Sequence, residues 1–360
     1  MTSTTRRTLL LAVALGAAAR MPAPAGAQGA GTPRPSSETP PGRSPGTSPG
    51  APAGASAGAS PGTLRLIVPA SPGGGWDGTA QAMRRVLQET GAARGIVVEY
   101  LPGAGGALAL PRLVTGLRGH DDTLMVSGLT QLASALVNGS PLTLNDTTPV
   151  ARLKGEAHVL AVAAASPLRG LDDFARALRA DPLGLRVAGG SPGSTDQILL
   201  ALIGRRLGLE STQLAFLPFS GGGPAAAAVL EGRAAAGISD WSEFAPHVAA
   251  GRMRALGISG EQRLDGVDVP TLREGGIDVV LYNWHGVFAP PGLESAQQAR
   301  LGALVAAMAR SPAWAREVAE RRWRPLYLAG PEFTAFLAAE RRSMATILAE
   351  LGLRPTASTN

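Results

Sequence analysis

An apolar run gives way to a Gly/Ser-rich loop, and the loop opens a stretch with helical spacing. This order recurs six times between Leu64 and Arg252. It appears first as "LRLIV-PASPGGGWDGT-AQAMRRVLQ". It returns as "GIVVEY-LPGAGG-ALALPRLVTGL", where Leu110, Leu113, Val114 and Leu117 fall at i, i+3, i+4 and i+7, the spacing of one helical face. "TLMV-SGLT-QLASALVNG", "LRVA-GGSPGST-DQILLALIGRRLGL", "LAFLPF-SGGG-PAAAAVLEGR" and "AAAGIS-DW-SEFAPHVAAGR" complete the set. In the fourth, Ile198, Leu199, Leu202 and Ile203 share a face. A glycine after each helical stretch reads as a stop signal.

Strands alternating with helices predict an α/β architecture with mixed, mostly parallel sheets. The strands are short unbroken apolar runs, as expected where both faces are covered. In such sheets every strand-to-helix loop lies at the carboxyl edge, where ligands bind. The Gly/Ser loops should therefore gather on one rim of each sheet, and two domains with facing rims would enclose a cleft.

A helix start carries unpaired N–H groups and about half a positive charge. Glycine lets backbone approach a ligand closely, and Ser or Thr adds a hydroxyl donor. Such a rim favours an anion. None of the six loops contains Lys or Arg, and Lys154 is the only lysine. A nucleotide phosphate is disfavoured, because the Walker A pattern needs a lysine these loops lack. The spacing G-x-G-x-x-G is not met by "GGGWDG", although "GAGGAL" resembles its beginning. A carboxylate fits better, since amide and hydroxyl donors serve its oxygens without metal or lysine. Each helix end contributes about 0.3–1 kcal/mol towards a charge, and several together reach the roughly −8 kcal/mol of micromolar binding.

Composition adds the setting. The 360-residue chain is 45% hydrophobic, carries no cysteine, and has room for two domains. Disulfides, thiolate metal sites and a cysteine lipid anchor are excluded. Arg6 and Arg7 precede the apolar "TLLLAVALGAAA", which is too short to span a membrane, and Ala25-Gly26-Ala27 fits an A-x-A cleavage site. Residues 1–27 thus read as an export signal, and "TTRRTLL" fits the twin-arginine route or an ordinary signal. Residues 28–62 are Pro/Gly/Ser/Ala-rich and read as a disordered spacer. Cleavage removes three of the 33 basic residues and none of the 27 acids, so the formal charge falls from +6 to +3. That is no nucleic-acid footprint. The expectation is an exported, soluble, periplasmic monomer without a cofactor.

Four stretches carry a family resemblance: "LRLIVPASPGGGWDGTAQAMRRVL", "VVEYLPGAGGALAL", "PFSGGGPAAAAVLEGRAAAGISDWSEFAPHVAAGRMRALGIS" and "VPTLREGGIDVVLYNWHGVFAPPG". In this order and spacing, from Leu64 to Gly352, the chain resembles the TctC/Bug family, the extracytoplasmic solute-binding subunits of tripartite tricarboxylate transporters. The resemblance implies a two-domain, type II-like periplasmic-binding-protein fold closing on a small di- or tricarboxylate, citrate-like, for membrane permease subunits. It implies one domain of 63–163 with 284–360 and a second of 164–283, with hinges at "HVLAVAA" (158–164) and "WHGVFAP" (284–290). Carried over residue by residue, the ligand-binding positions are Pro72, Gly73, Gly74, Gly75 and Asp77 in the first loop, and Ala104 and Gly105 in the second. Ser127 and Thr130 follow at the third strand end. Gly190, Ser191, Ser194 and Thr195 begin the second domain's set, and Ser220, Gly221 and Asp240 end it. Two departures bear on loop support: Gln81 stands where the family often has arginine, and Tyr100-Leu101 where Asn-Arg is common.

Plainer roles compete at several positions. Asp77 can cap its helix, and Ser191, Ser194 and Thr195 can be caps as readily as ligand donors. An ionised Asp77 or Asp240 would repel a carboxylate, so each is expected to order its loop or to bind an amine or hydroxyl. Trp76 and Trp284 can wall the cleft, with packing the simpler expectation. His120, His158, His247 and His285 lack metal-ligand spacing and read as surface or core residues. "RRWR" (321–324) reads as a solvated face with its tryptophan tucked in. No G-x-S-x-G elbow occurs, since "GGSPG" (189–193) lacks the helix continuity that motif needs, so no enzyme is expected. The same cleft would also suit a receptor feeding a membrane sensor kinase, or a hydrolase acting on a small acid.

Overall fold

All six apolar runs hold strands; burial on both faces explains four of them, whereas Gly95–Tyr100 and Phe216–Pro218 lie at the sheet edges and are only partly buried. The computed structural model describes residues 62–93 and 95–351. The expected signal at 1–27, its cleavage after Ala27, and the spacer up to residue 61 lie outside the described residues.

In β1 (Thr63–Val68), Leu64, Leu66 and Val68 join one apolar cluster with Ala80, Met83, Val86 and Leu87 of α1 (Gly75–Glu89). Ile67 turns the other way, to a cluster holding Leu110, Leu113 and Met125. The two-residue period of a strand, with both faces covered, demands such a continuous apolar run. Each Leu, Val or Met so buried contributes about 1.5–3 kcal/mol. Strand β1 lies parallel to β2 (Gly95–Tyr100) on one side and β3 (Thr123–Gly128) on the other. Helix α2 (Leu129–Val137) follows β3 directly.

The second repeat departs from its expected helix. Residues Ala104–Ala109 form a tight turn and Arg112–Gly116 one wide turn. Gly103, Ala104, Gly105 and Gly106 all have positive φ, which no right-handed helix accepts, and Pro111 has no N–H to give. The apolar face survives nonetheless: Leu110, Leu113 and Leu117 are buried.

Strand β4 (Thr148–Ala163) connects the two wings of the molecule. After α3 (Leu171–Ala180) come β5 (Val187–Gly189), α4 (Thr195–Arg206), β6 (Phe216–Pro218), α5 (Gly222–Leu230), β7 (Ala236–Asp240), α6 (Trp241–Ala249) and β8 (Met253–Ile258). Here β5 is flanked in parallel by β6 and β7. The chain then returns along β9 (Tyr282–Ala289), and closes with α7 (Ser295–Ala309), α8 (Pro312–Glu320), β10 (Arg324–Ala329) and α9 (Gly330–Glu350).

The strand order is β2-β1-β3-β9-β4-β7-β5-β6, with β8 and β10 also on β4. The sheet is therefore mixed. Parallel pairs stay within each wing, while every antiparallel pair involves β4 or β9. From Thr148 to Ala157, β4 pairs with β9; from His158 onward it pairs with β7 and β8. This change of partner at Ala157/His158 creates the crevice that hosts the site. Below it, Lys154 and Glu156 form a fully buried ion pair at 2.6 Å, with the Lys154 ammonium 4.5 Å over the Trp323 ring. Trp323 of "RRWR" is tucked in under Arg321 as well.

Candidate ligand-binding site

A cavity of about 510 Å³ opens where β4 changes partners, within the size range of small-molecule sites. All six loops reach it. The first wing supplies Pro69–Trp76, Pro102–Gly105 and Thr130; the second supplies Gly190, Ser191, Ser194–Asp196, Ser220–Pro224, Asp240 and Glu243; β9 adds Asn283 and His285. The strand-to-helix order places these loops here, since parallel strands all end on the same edge.

Gly74, Ser194, Gly221 and Asp240, which precede α1, α4, α5 and α6, all line the cavity, and none caps its helix with a side chain. Ser311, away from the cavity, does cap α8. At α6 the Ser242 amide donates to Glu156 Oε1 at 2.8 Å, so it is the uncapped N–H groups of α1, α4 and α5 that converge on one volume, where they complement negative charge. The second loop adds local strain: Ala104 sits at φ 49°, a left-handed conformation that costs a non-glycine residue roughly 1–2 kcal/mol. Such strain is concentrated at functional sites.

Most residues expected from the sequence line this cavity: Pro72, Gly73, Gly74, Gly75, Ala104, Gly105, Thr130, Gly190, Ser191, Ser194, Thr195, Ser220, Gly221 and Asp240. Ser194 makes no capping bond, which leaves its hydroxyl for the cavity. Thr195 is committed elsewhere, to His158 Nε2 at 2.9 Å and to Thr130 across the crevice at 3.2 Å.

Two expected residues fall outside the lining. Ser127 is fully buried, and its hydroxyl donates to Gln131, whose amide in turn donates to the Gly106 carbonyl at 2.7 Å. It braces the second loop from beneath. Asp77 accepts from the Gly73 amide at 2.8 Å, from Tyr100 Oη at 2.8 Å and from Gln81 Nε2 at 3.0 Å. It orders the first loop. Gln81 and Tyr100, the two departures from the family pattern, are the residues that hold it, and Gln81 also donates to Tyr100 Oη at 2.9 Å. Asp77→Ala should cost about 1–3 kcal/mol of stability and about tenfold in ligand affinity, read by thermal denaturation and calorimetric titration. Unchanged affinity would show that the loop holds its shape without this anchor.

Sequence reasoning missed the acid side of the site. Asp196, Glu243, Asn283 and His285 line the cavity together with Asp240, and among the described residues no Lys or Arg does. Asp196 is engaged: Oδ2 accepts from the Gly190 amide at 2.6 Å, and Oδ1 lies 3.2 Å from His158 Nε2. Asp240 Oδ2 accepts from Asn283 Nδ2 at 3.0 Å. Glu243 accepts the Ser239 hydroxyl. Burial, then the neighbouring Glu156, pushes the Asp240 carboxyl up to about 7. Burial, then Asp240, pushes Glu243 up to about 8. Burial works against a charged His158, but the Asp196 hydrogen bond and Asp240 outweigh it and raise its pKa. His285, buried and bonded through Nδ1 to Thr79 Oγ1 at 2.8 Å, is held well below the usual imidazole range by burial and by Lys154.

The only sequence signals for these residues were Asp240 itself and the histidines. Trp76 is both packed and a wall of the cavity. Trp284 lies in the core, against Phe333 and Phe336. Among the described residues no group of His, Cys, Asp or Glu has the arrangement of a metal site, and no helix is long and apolar enough to cross a membrane.

Known proteins match both the sequence and the fold. The pattern of the tripartite tricarboxylate transporter family receptor, TctC, matches residues 80–353. Protein BugT of Bordetella pertussis is 27% identical over 296 residues, covering 81% of this chain and 90% of that protein. The structure of MatC from Rhodopseudomonas palustris, with bound malate, is 26% identical with a TM-score of 0.69, covering 80% of this chain and 98% of MatC. The periplasmic binding protein BugD shares the fold at a TM-score of 0.73 and 17% identity, covering 81% and 98% of the two chains. With a family match over most of its length and the two-wing fold of periplasmic binding proteins, this chain belongs to the TctC family of tripartite tricarboxylate transporter receptors.

Proposed function

We propose that this chain is an exported receptor that captures a small carboxylate between its two wings and presents it to the permease subunits of a tripartite transporter. One observation carries the reading: three uncapped helix N-termini, those of α1, α4 and α5, converge on one cavity whose lining holds no Lys or Arg among the described residues. Oriented amides suffice for an anion of this size. The malate bound in MatC supports the carboxylate class. The di- or tricarboxylate expected from the sequence is one member of that class.

The expected domains, 63–163 with 284–360 and 164–283, would close about β4 and the return into β9. Closure would expel water and strengthen the amides' hold on charge, as low dielectric does. Binding without turnover follows as the working role. Export would rest on the 1–27 signal, and the mature chain would act in the periplasm.

The test is a thermal-shift screen of the chain without residues 1–27 against carboxylates, amino acids, inorganic phosphate and sulfonates. A ligand at a hundredfold excess over Kd should stabilise by about 2.7 kcal/mol. At least one carboxylate-bearing compound should raise the melting temperature. A shift with phosphate alone would overturn the carboxylate class.

A further inference from the structure

Glu156, Asp196, Asp240 and Glu243 gather on one side of the crevice, with only Lys154 and His158 to balance them. Lys154 is paired with Glu156 at 2.6 Å, and Glu156 also accepts the Ser242 amide. His158 Nε2 lies 3.2 Å from Asp196 Oδ1, nearer than its 3.6 Å to Asp240 Oδ1. Asp240 and Glu243 are left without a cation of their own, and among the described residues no Lys or Arg lines the cavity. The remaining titratable neighbours are engaged: Asp77 of α1 with Gly73, Tyr100 and Gln81, and His285 of β9 with Thr79.

Both unmatched carboxyls look across the crevice at one first-wing loop. A Cβ placed on Gly75 would lie 2.7 Å from Asp240 Oδ2, and one on Gly74 would lie 3.6 Å from Glu243 Oε1. Asp240 Oδ2 is already held by Asn283 Nδ2 at 3.0 Å. Glu243 is anchored at Oε2 by the Ser239 hydroxyl, while Oε1 faces the loop with no hydrogen-bond partner among the described residues. An anion held by the α1 amides therefore sits against Glu243 Oε1. Two like charges at that range, in a closed crevice of low dielectric, would repel strongly. A proton on Oε1 turns the repulsion into an O–H···O⁻ bond, which is short and charge-assisted.

We propose that Glu243 receives the ligand as a neutral acid, its Oε1–H donating to a ligand carboxylate oxygen, so that the anion is captured together with one proton. This deepens the carboxylate reading above and rests on it. Where free Glu243 already holds its proton, affinity does not change with pH. Where free Glu243 is ionised, capture must draw a proton from water, and affinity falls about tenfold per pH unit. Burial, then Asp240, holds the free Glu243 carboxyl up to about 8, which puts the fall on the alkaline side. Asp240, at about 7, and His158, with its raised pKa, complete their own proton exchange at lower pH. His285, held well below the usual imidazole range, stays neutral throughout.

Calorimetric titration at two pH values tests this. The chain without residues 1–27 is titrated at about pH 6.5 and about pH 9.5 with malate, succinate, adipate and any other carboxylate that raised the melting temperature in the screen. Circular dichroism checks that each protein is folded at both. Kd should rise at least about tenfold between the two, and heats in buffers of different ionisation enthalpy should show about one proton taken up per ligand at the higher pH. In Glu243→Gln, whose amide donates at every pH, the rise should shrink to about threefold or less. Asp240→Asn should keep the rise, since the proton at issue is on Glu243. No rise in the parent, or an equal rise in Glu243→Gln, would overturn the proposal and leave the carboxylate reading standing. Failure of every carboxylate to bind at about pH 6.5 would take away that reading as well.

Discussion

Gly74→Val should abolish ligand binding, with affinity down at least a hundredfold, and leave the fold intact. Gly74 precedes α1 at φ −83° and ψ 174°, an extended conformation that any residue adopts. A Cβ there meets only Glu243 Oε1 at 3.6 Å and the Ser71 carbonyl at 3.7 Å, ordinary contacts. Backbone strain and steric clash are thus both absent at the first added atom. The next atoms decide the outcome. Gly74 and Glu243 line the same cavity from opposite wings, so valine's methyl groups project into the crevice and hold ligand away from the α1 amides. Losing that helix end and the fit around it removes about 3 kcal/mol, a hundredfold in affinity. The check is a calorimetric titration paired with circular dichroism. A folded variant with unchanged affinity would move the site away from this loop. Gly75 gives the contrast: its Cβ would come within 2.7 Å of Asp240 Oδ2, so substitution there disturbs the acid wall as well.

Glu243→Gln should stabilise the ligand-free protein, and more at about pH 8.5 than at about pH 5.5. The carboxyls of Asp240 and Glu243 keep their protons up to about 7 and about 8 in the folded chain, whereas unfolded carboxyls release theirs near pH 4. Between those values the folded state binds more protons, so stability falls as pH rises through about 7 and about 8.

This pair, at β7 and α6, is surrounded by groups from three further elements: Lys154, Glu156 and His158 on β4, Asp196 on α4, and His285 on β9. His158, with its raised pKa, adds to the same trend, since its contribution is present below about pH 6.5 and lost as pH rises further. His285, with its lowered pKa, opposes it below that pH. Comparing variant with parent isolates the carboxyl. Glutamine keeps the shape and an acceptor for the Ser239 hydroxyl while removing the ionisation. The gain should be larger at the alkaline end than at the acid end by on the order of 1–2 kcal/mol. Parallel melting profiles for the two proteins would place the pH dependence elsewhere.

The alternation of apolar runs with Gly/Ser loops was sufficient to read the α/β class and the gathering of six loops at one rim. Both follow from local rules: a run buried on two faces is a strand, and a parallel strand delivers its loop to the carboxyl edge. The absence of basic residues from those loops was equally legible. The second repeat was not, because four residues in left-handed backbone override a good helical face.

Asp77, in the first turn of α1, and Ser127, near the end of β3, stand beside the right loops, yet neither lines the cavity. Which way a side chain points there depends on partners distant in sequence, Tyr100 for Asp77, or one turn on, Gln131 for Ser127. The acid wall was the hardest to foresee. Glu243 lies inside a helix, and Asn283 and His285 lie on a return strand whose register with β4 brings them beside Asp240. Local propensity therefore determined the amide-lined rim from sequence alone. The carboxyl groups opposite it came together only because β4 exchanges one partner strand for another at His158, a pairing no short-range pattern encodes.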